Sequence, residues 1–204
     1  MNAKALSTLP IILLAAGASS RMRGRDKLLE DIDGAPLLRR QAMRAIDATL
    51  GPVLITLPPE PHPRRDVLAG LNVTQLAVPD AALGMSRSLR RALAQVPENA
   101  DAVMVLLADL PELTTGDLMA VLNAVTGDGD ALIWRGTTSQ GAPGHPIVFA
   151  RSLFKELAMI TGDTGGANVV ARHLDRTVFI RLPGNRALLD LDTPEDWAAW
   201  RAAR

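Results

Sequence analysis

The chain has 204 residues, 48% apolar and 22% charged, with 22 Lys plus Arg against 22 Asp plus Glu and no cysteine. Balanced charge gives no overall sign of a polybasic surface for nucleic acid or membranes, so any attraction for anions must be local, and the missing cysteines exclude disulfides, Cys-ligated zinc and a thiol nucleophile. The length suits one core, so residues 1–204 read as a single domain.

The opening MNAKALSTLP lacks a signal-peptide pattern, and the apolar run 11–16 is too short to span a bilayer. The expectation is a cytoplasmic protein without nucleic-acid or membrane partners.

IILLAA (11–16) is apolar on both faces, as a central parallel strand would be. PLLRRQAMRAIDATL (36–50) carries a stripe of Leu37, Leu38, Gln41, Ala42, Ala45 and Ile46 at helical spacing, with Pro36 in its first turn. VLITLP (53–58) and VTQLAV (73–78) read as the next strands, and SRSLRRALAQV (86–96) as a helix capped by Ser86. AVMVLLADLP (102–111) is another buried strand, followed by a helix to about Val125 capped by Thr114 or Thr115.

ALIW (131–134) and HPIVFA (145–150) read as strands around a glycine-rich loop. SLFKELAMI and GANVVARHL follow as helices, then TVFIRL and ALLDLD (187–192) as strands. The last helix starts at Thr193 as N-cap, with Pro194 first and Asp196 in the first turn. This alternation specifies an α/β fold, a three-layer Rossmann-like domain with a mostly parallel sheet. Its ligands should gather at the carboxyl ends of the strands.

Three segments fall there. The first is LLAAGASSRMRGRDK (13–27), where Arg21, Arg23, Arg25 and Lys27 follow a strand end of small residues. Backbone groups at Leu14, Ala15, Ala16 and Gly17 can approach a ligand closely, and Arg21 and Lys27 would partner a phosphate. A solvated turn with exposed charges is the competing reading. The spacing is neither GxxxxGK[ST] nor GxGxxG, which argues against P-loop hydrolysis and the usual dinucleotide fingerprint. The second segment ends in Asp109, a carboxylate at a buried strand's end that needs a cation, hydrogen bonds or a capping role before Pro111. The third, DLD, offers Asp190 and Asp192 on one face of an extended stretch.

LAAGASSRM with Lys27 downstream resembles the LAAGxSxRMGxxK signature of nucleotidyltransferases with a glycosyltransferase-A-like Rossmann fold. Within that fold the chain is most similar to the MocA-like molybdenum cofactor cytidylyltransferases of the MobA-like group. Five motifs occur in family order: LAAGASSRM with DKLL, GMSRSL (84–89), LLADLP (106–111), GHP (144–146) and DLDTPEDW (190–197). One departure is Arg23, which stands between the Arg-Met pair and Gly24 and lengthens or re-aims the loop.

The resemblance implies transfer of CMP from CTP to the terminal phosphate of molybdenum cofactor (molybdopterin), releasing pyrophosphate. It implies Mg²⁺ held by Asp109 and Asp192, with Asp190 in reserve, and Arg21 and Lys27 neutralising charge on the leaving group. Asp109, Arg21 and Lys27 are thus the expected catalytic set. Gly84 and Ser88 are expected beside base and ribose, and Gly144 and His145 beside the acceptor, although a lone histidine is as readily structural. GDTGGAN (162–168) is a further place to meet an anionic pterin substituent. A molybdoenzyme or its chaperone is a further expected partner. Guanylyl relatives carry LAGG, and the methyl of Ala16 disfavours a purine by a share of the ~1–3 kcal/mol one methyl can supply. The competing functions are a GTP- or sugar-phosphate-using transferase of this fold, and a non-catalytic carrier of the molybdenum cofactor.

Overall fold

The computed structural model describes residues 6–125, 129–162 and 166–204. In chain order the elements are β1 (Ile11–Leu14), β2 (Asp31–Ile32), β3 (Ala35–Pro36), α1 (Leu37–Ala48), β4 (Val53–Leu57), α2 (Pro63–Asp66) and β5 (Thr74–Ala77). Then come α3 (Met85–Leu93), β6 (Ala102–Leu107), α4 (Thr115–Leu122), β7 (Ile133–Thr137) and β8 (Pro143–Ala150). The chain closes with α5 (Phe154–Ala158), α6 (Ala167–Arg172), β9 (Thr177–Arg181) and α7 (Pro194–Ala202).

Seven strands form one sheet in the order β5-β4-β1-β6-β8-β7-β9, and only β8 runs against its neighbours. Strand residues alternate between its faces. Ile11, Leu13, Ile55, Met104 and Leu106 meet α1, α4 and α7, while Ile12, Leu14, Leu54, Val103 and Val105 meet α3, α5 and α6. The result is a single three-layer α/β domain, as the apolar-on-both-faces strands require. The chain leaves β1 toward β4 and β5 and returns on the other side at β6, so strand order reverses between β1 and β6. Connections diverge at that point and open a crevice at the carboxyl edge. Among the described residues no helix is long and apolar enough to cross a membrane.

Four local features depart from the sequence reading. ALLDLD is not a strand: Leu188 and Leu189 donate to the Asn185 carbonyl in a turn, and the Ala187 carbonyl accepts from His145 N at 2.8 Å. That carbonyl meets β8, but the N–H groups of Leu188 and Leu189 turn back on Asn185, and the segment is not a strand. The α3 helix is capped by Gly84, with φ +113°, and Ser86 lies buried inside its first turn with an unpartnered hydroxyl. Pro36 stands just before α1 as its N-cap residue. DIDGAP forms a hairpin unmarked above, in which Asp33 (φ +52°) and Gly34 (φ +85°) turn β2 into β3 as Asp-Gly turns do. Thr114 and Thr193 each close a capping box, with Asp117 and Asp196 respectively.

Candidate active site

At the carboxyl edge, β1 and β6 run in register up to Leu14 beside Leu107. The chain then leaves β1 as a loop of small residues that lines a cavity of about 470 Å³. Ala15 N is held on the Thr56 carbonyl of β4 at 3.1 Å, so the loop starts from a fixed point. Two 3₁₀ turns follow, Ser20–Met22 and Lys27–Leu29. The extra Arg23 between them is absorbed as a left-handed residue, φ +53°, before Gly24 at +86°. Its side chain pairs at the surface with Glu195.

From the second turn Lys27 reaches across the cavity. Its ammonium donates to Asp109 Oδ2 at 2.6 Å and to Asp192 Oδ1 at 2.7 Å. Arg21 pairs with the other oxygen of Asp192, at 2.6 Å. Three separate segments therefore meet within hydrogen-bond distance. Asp109 stands just past β6, in a turn braced by α1: buried Gln41 donates to the Leu110 carbonyl at 2.6 Å and Arg44 to the Pro111 carbonyl at 2.8 Å. Asp192 stands just before α7, where Asp196 accepts from the backbone N–H groups of Asp192 and Thr193 and so ties Asp192 to the helix N-terminus.

The electrostatics follow from that packing. Burial opposes the charge on Lys27, but Asp109 and Asp192 outweigh it and raise its pKa above the usual lysine value. Burial likewise opposes charge on Asp192, and Lys27 and then Arg21 hold it below the usual carboxylate range. Asp190, which also lines the cavity, is pushed up by partial desolvation and by the negative charge and hydrogen bond of Asp192. Asp109 Oδ1 is buried without a hydrogen-bond partner. Two carboxylates converging on one cation, with an orphaned oxygen on one of them, suit a divalent metal ion. Among the described residues no cluster of three or more His, Cys, Asp or Glu side chains forms a metal cage. Such a two-carboxylate site suits a hard cation that keeps waters and substrate oxygens as its other ligands.

The other expected residues divide. Leu14, Ala15, Ala16, Gly17 and Ser88 line the cavity, and Gly84 does not. Gly144 and His145 also lie outside the lining. They brace the loop that carries the acids: a Cβ on Gly144 would overlap the Ala187 carbonyl, and His145 N donates to that same oxygen. The His145 residue retains some surface exposure, but its Nδ1 is sealed from solvent without a partner. Burial pushes its pKa down to about 4, helped by Arg135 and opposed by a hydrogen bond to the Val105 backbone and by Asp109. Of GDTGGAN, residues 163–165 lie outside the described residues.

Sequence reasoning missed Ala81, Ala82 and Met85, which wall the cavity from the segment entering α3. It also missed Arg64, from α2, whose guanidinium donates to Asp26, Ser19 and the Ala15 carbonyl. The helix-start signal His62-Pro63, with His62 Nδ1 accepting from Arg64 N, marked where that side chain begins.

The chain is similar to the purine catabolism protein PucB of Bacillus subtilis (strain 168), 27% identical over 205 residues covering 94% of this chain and 95% of that protein. It superposes on the crystal structure of Rv0371c from Mycobacterium tuberculosis H37Rv with a TM-score of 0.83 and 26% identity, covering 96% of this chain and 98% of that one. A further structure of Rv0371c is a manganese complex, with TM-score 0.80, 24% identity and 97% and 100% coverage. CMP:2-keto-3-deoxy-manno-octonic acid synthetase complexed with CTP shares the fold, with TM-score 0.72 at 14% identity over 96% and 98% of the two chains. The MobA-like NTP transferase domain matches residues 11–177, most of the chain including the β1 loop, Lys27 and Asp109, and this protein belongs to that nucleotidyltransferase family.

Proposed function

We propose that this chain, acting over residues 1–204 as one domain, transfers CMP from CTP to the terminal phosphate of molybdenum cofactor and releases pyrophosphate. The observation that carries the reading is the Lys27 ammonium bridging Asp109 and Asp192 beside the small-residue loop of β1. A phosphate oxygen of the acceptor bonds to the α-phosphorus of CTP while the bond from that phosphorus to the bridging oxygen of the β-phosphate breaks. The acceptor phosphate is already ionised at neutral pH, so no general base is needed to activate it. In this reading Lys27 and Arg21 bind and neutralise the triphosphate, and the N–H groups of the β1 loop orient it.

Asp109 and Asp192 would hold Mg²⁺, and the existence of a manganese complex of the mycobacterial relative is consistent with use of a divalent ion. The bound ion supplies Lewis-acid charge to the phosphates. Support for CTP comes from Ala16, which is 6% exposed and lines the cavity with a methyl where glycine would leave space for a larger base.

A melting panel with CTP, GTP, ATP and UTP, each with and without Mg²⁺, tests the donor. A ligand at 100 times its dissociation constant contributes about 2.7 kcal/mol, a readable shift. A magnesium-dependent shift confined to CTP is the expected result. A shift confined to GTP makes the chain a guanylyltransferase, and no shift with any nucleotide favours a carrier of the cofactor. CMP transfer to molybdopterin, followed by pyrophosphate release, then tests the acceptor.

A further inference from the structure

The least exposed charged side chain described in this protein is neither at its surface nor in its cavity. Arg64 is 1% exposed, with no place in the cavity lining, and the energetic cost of burying a guanidinium demands a reason. All three of its guanidinium nitrogens donate. Nε and Nη2 donate to the two oxygens of Asp26 at 2.7 and 2.8 Å, Nη2 also to Ser19 Oγ at 3.0 Å, and Nη1 to the Ala15 carbonyl at 2.6 Å.

Those three partners mark the start, middle and end of the small-residue loop. Ala15 is where the chain leaves β1. Ser19 is a left-handed residue, φ +51°, whose hydroxyl accepts from Lys27 N at 3.3 Å and donates to Asp26 at 3.3 Å. Asp26 directly precedes Lys27 and caps its 3₁₀ turn by accepting from Leu28 N at 2.9 Å. Burial disfavours the Asp26 carboxylate, but the hydrogen bond and charge of Arg64, with the bonds from Leu28 and Ser19, outweigh it and hold its pKa below the usual carboxylate value. A single planar guanidinium thus fixes both ends of the loop and the root of Lys27.

We propose that Arg64 is a positioning residue of the nucleotide site: it holds the β1 loop in its phosphate-binding shape and aims Lys27 at Asp109 and Asp192, without touching substrate. This rests on the nucleotidyltransferase reading above. Lysine could keep the charge but not make the fork, so Arg64→Lys retains a cation and loses the simultaneous hold on three points.

The test must separate positioning from mere stability. Arg64→Leu alone strands the Asp26 charge in the interior and lowers the melting temperature. The double variant Arg64→Leu/Asp26→Leu removes both charges, so its stability recovers, while the loop stays untied. Three readouts are compared in these variants and Arg64→Lys: melting temperature, CTP–Mg²⁺ affinity by calorimetry, and amide hydrogen exchange of residues 15–29.

The expected result is a double variant that melts well above Arg64→Leu yet binds CTP at least about tenfold more weakly than wild type, ~1.4 kcal/mol. Exchange in residues 15–29 should rise about tenfold or more, with the sheet unchanged. If nucleotide affinity recovers with stability in the double variant, or exchange at 15–29 stays at the wild-type level in a folded variant, Arg64 is structural and the proposal fails. If wild type binds none of the four nucleotides, the transferase reading fails, while the exchange data still decide whether Arg64 holds the loop. Should neither variant fold, Ser19→Ala removes only the middle tie, and unchanged exchange there overturns the proposal equally.

Discussion

Replacing Lys27 with methionine keeps the bulk of the side chain and deletes the charge that two carboxylates share. The ammonium lies 2.6 Å from Asp109 and 2.7 Å from Asp192, and the three side chains are only 14%, 20% and 15% exposed. Removing one partner of a buried ion pair costs about 3–5 kcal/mol, because the remaining charge is left without compensation. Here the cavity opens to solvent and Arg21 still meets Asp192, although its own side chain is 67% exposed. Water can therefore repair part of the loss, and we expect about 2–3 kcal/mol of destabilisation. For a chain of this size that is a fall of about 4–12 °C in melting temperature. Divalent cation should then stabilise Lys27→Met more than wild type, because the variant leaves the two carboxylates free to accept it. The assay is a thermal melt at neutral pH with and without Mn²⁺. A melting temperature within about 1 °C of wild type, with equal manganese shifts in both proteins, would refute the shared-cation account of the site.

Two further predictions concern the brace behind the acids. His145 titrates at an ordinary 6.5 when unfolded and at about 4 in the fold. The unfolded chain thus takes up its proton first, and stability is complete above pH 6.5 and declines as pH falls toward 4, by about 3 kcal/mol at pH 4 from this residue. His145→Gln, which cannot titrate, should flatten the acid limb of urea-derived stability between those values; an identical limb in both proteins would contradict the buried-neutral assignment. Gly144→Ala places a methyl against the Ala187 carbonyl, a backbone group with little freedom to retreat, and should cost about 1–3 kcal/mol or more in urea unfolding. Because the displaced segment leads to Asp190 and Asp192, the same variant should weaken Mn²⁺ binding; wild-type stability would show that the contact relaxes freely.

The architecture was largely legible in the sequence because it depends on local rules. Strands apolar on both faces had to lie inside a covered sheet, and β1 and β6 do. Thr114 and Thr193 announced their helices through capping residues, which act within one turn. Strand ends facing one edge made the loop after β1, Asp109 and the DLD segment neighbours before any contact was known. The ALLDLD segment shows where pattern alone fails: alternation permits a strand, but a strand needs a ladder of partners, and the N–H groups of Leu188 and Leu189 are taken by the Asn185 carbonyl in a turn.

Tertiary structure alone decided which charges meet. Lys27 is 82 residues from Asp109 and 165 from Asp192, and no periodicity reports a contact at such separation. The same holds for Arg64, one of many arginines in the sequence, which only the tertiary fold turns into the residue that grips Ala15, Ser19 and Asp26. It also set Gly144 and His145 outside the cavity lining, against the Ala187 carbonyl of the loop that carries the acids. Local propensity and patterning act over a few residues, so they specify elements and edges. Pairing of buried charges depends on where the packed layers bring distant segments together, and that is settled only when the whole sheet has formed.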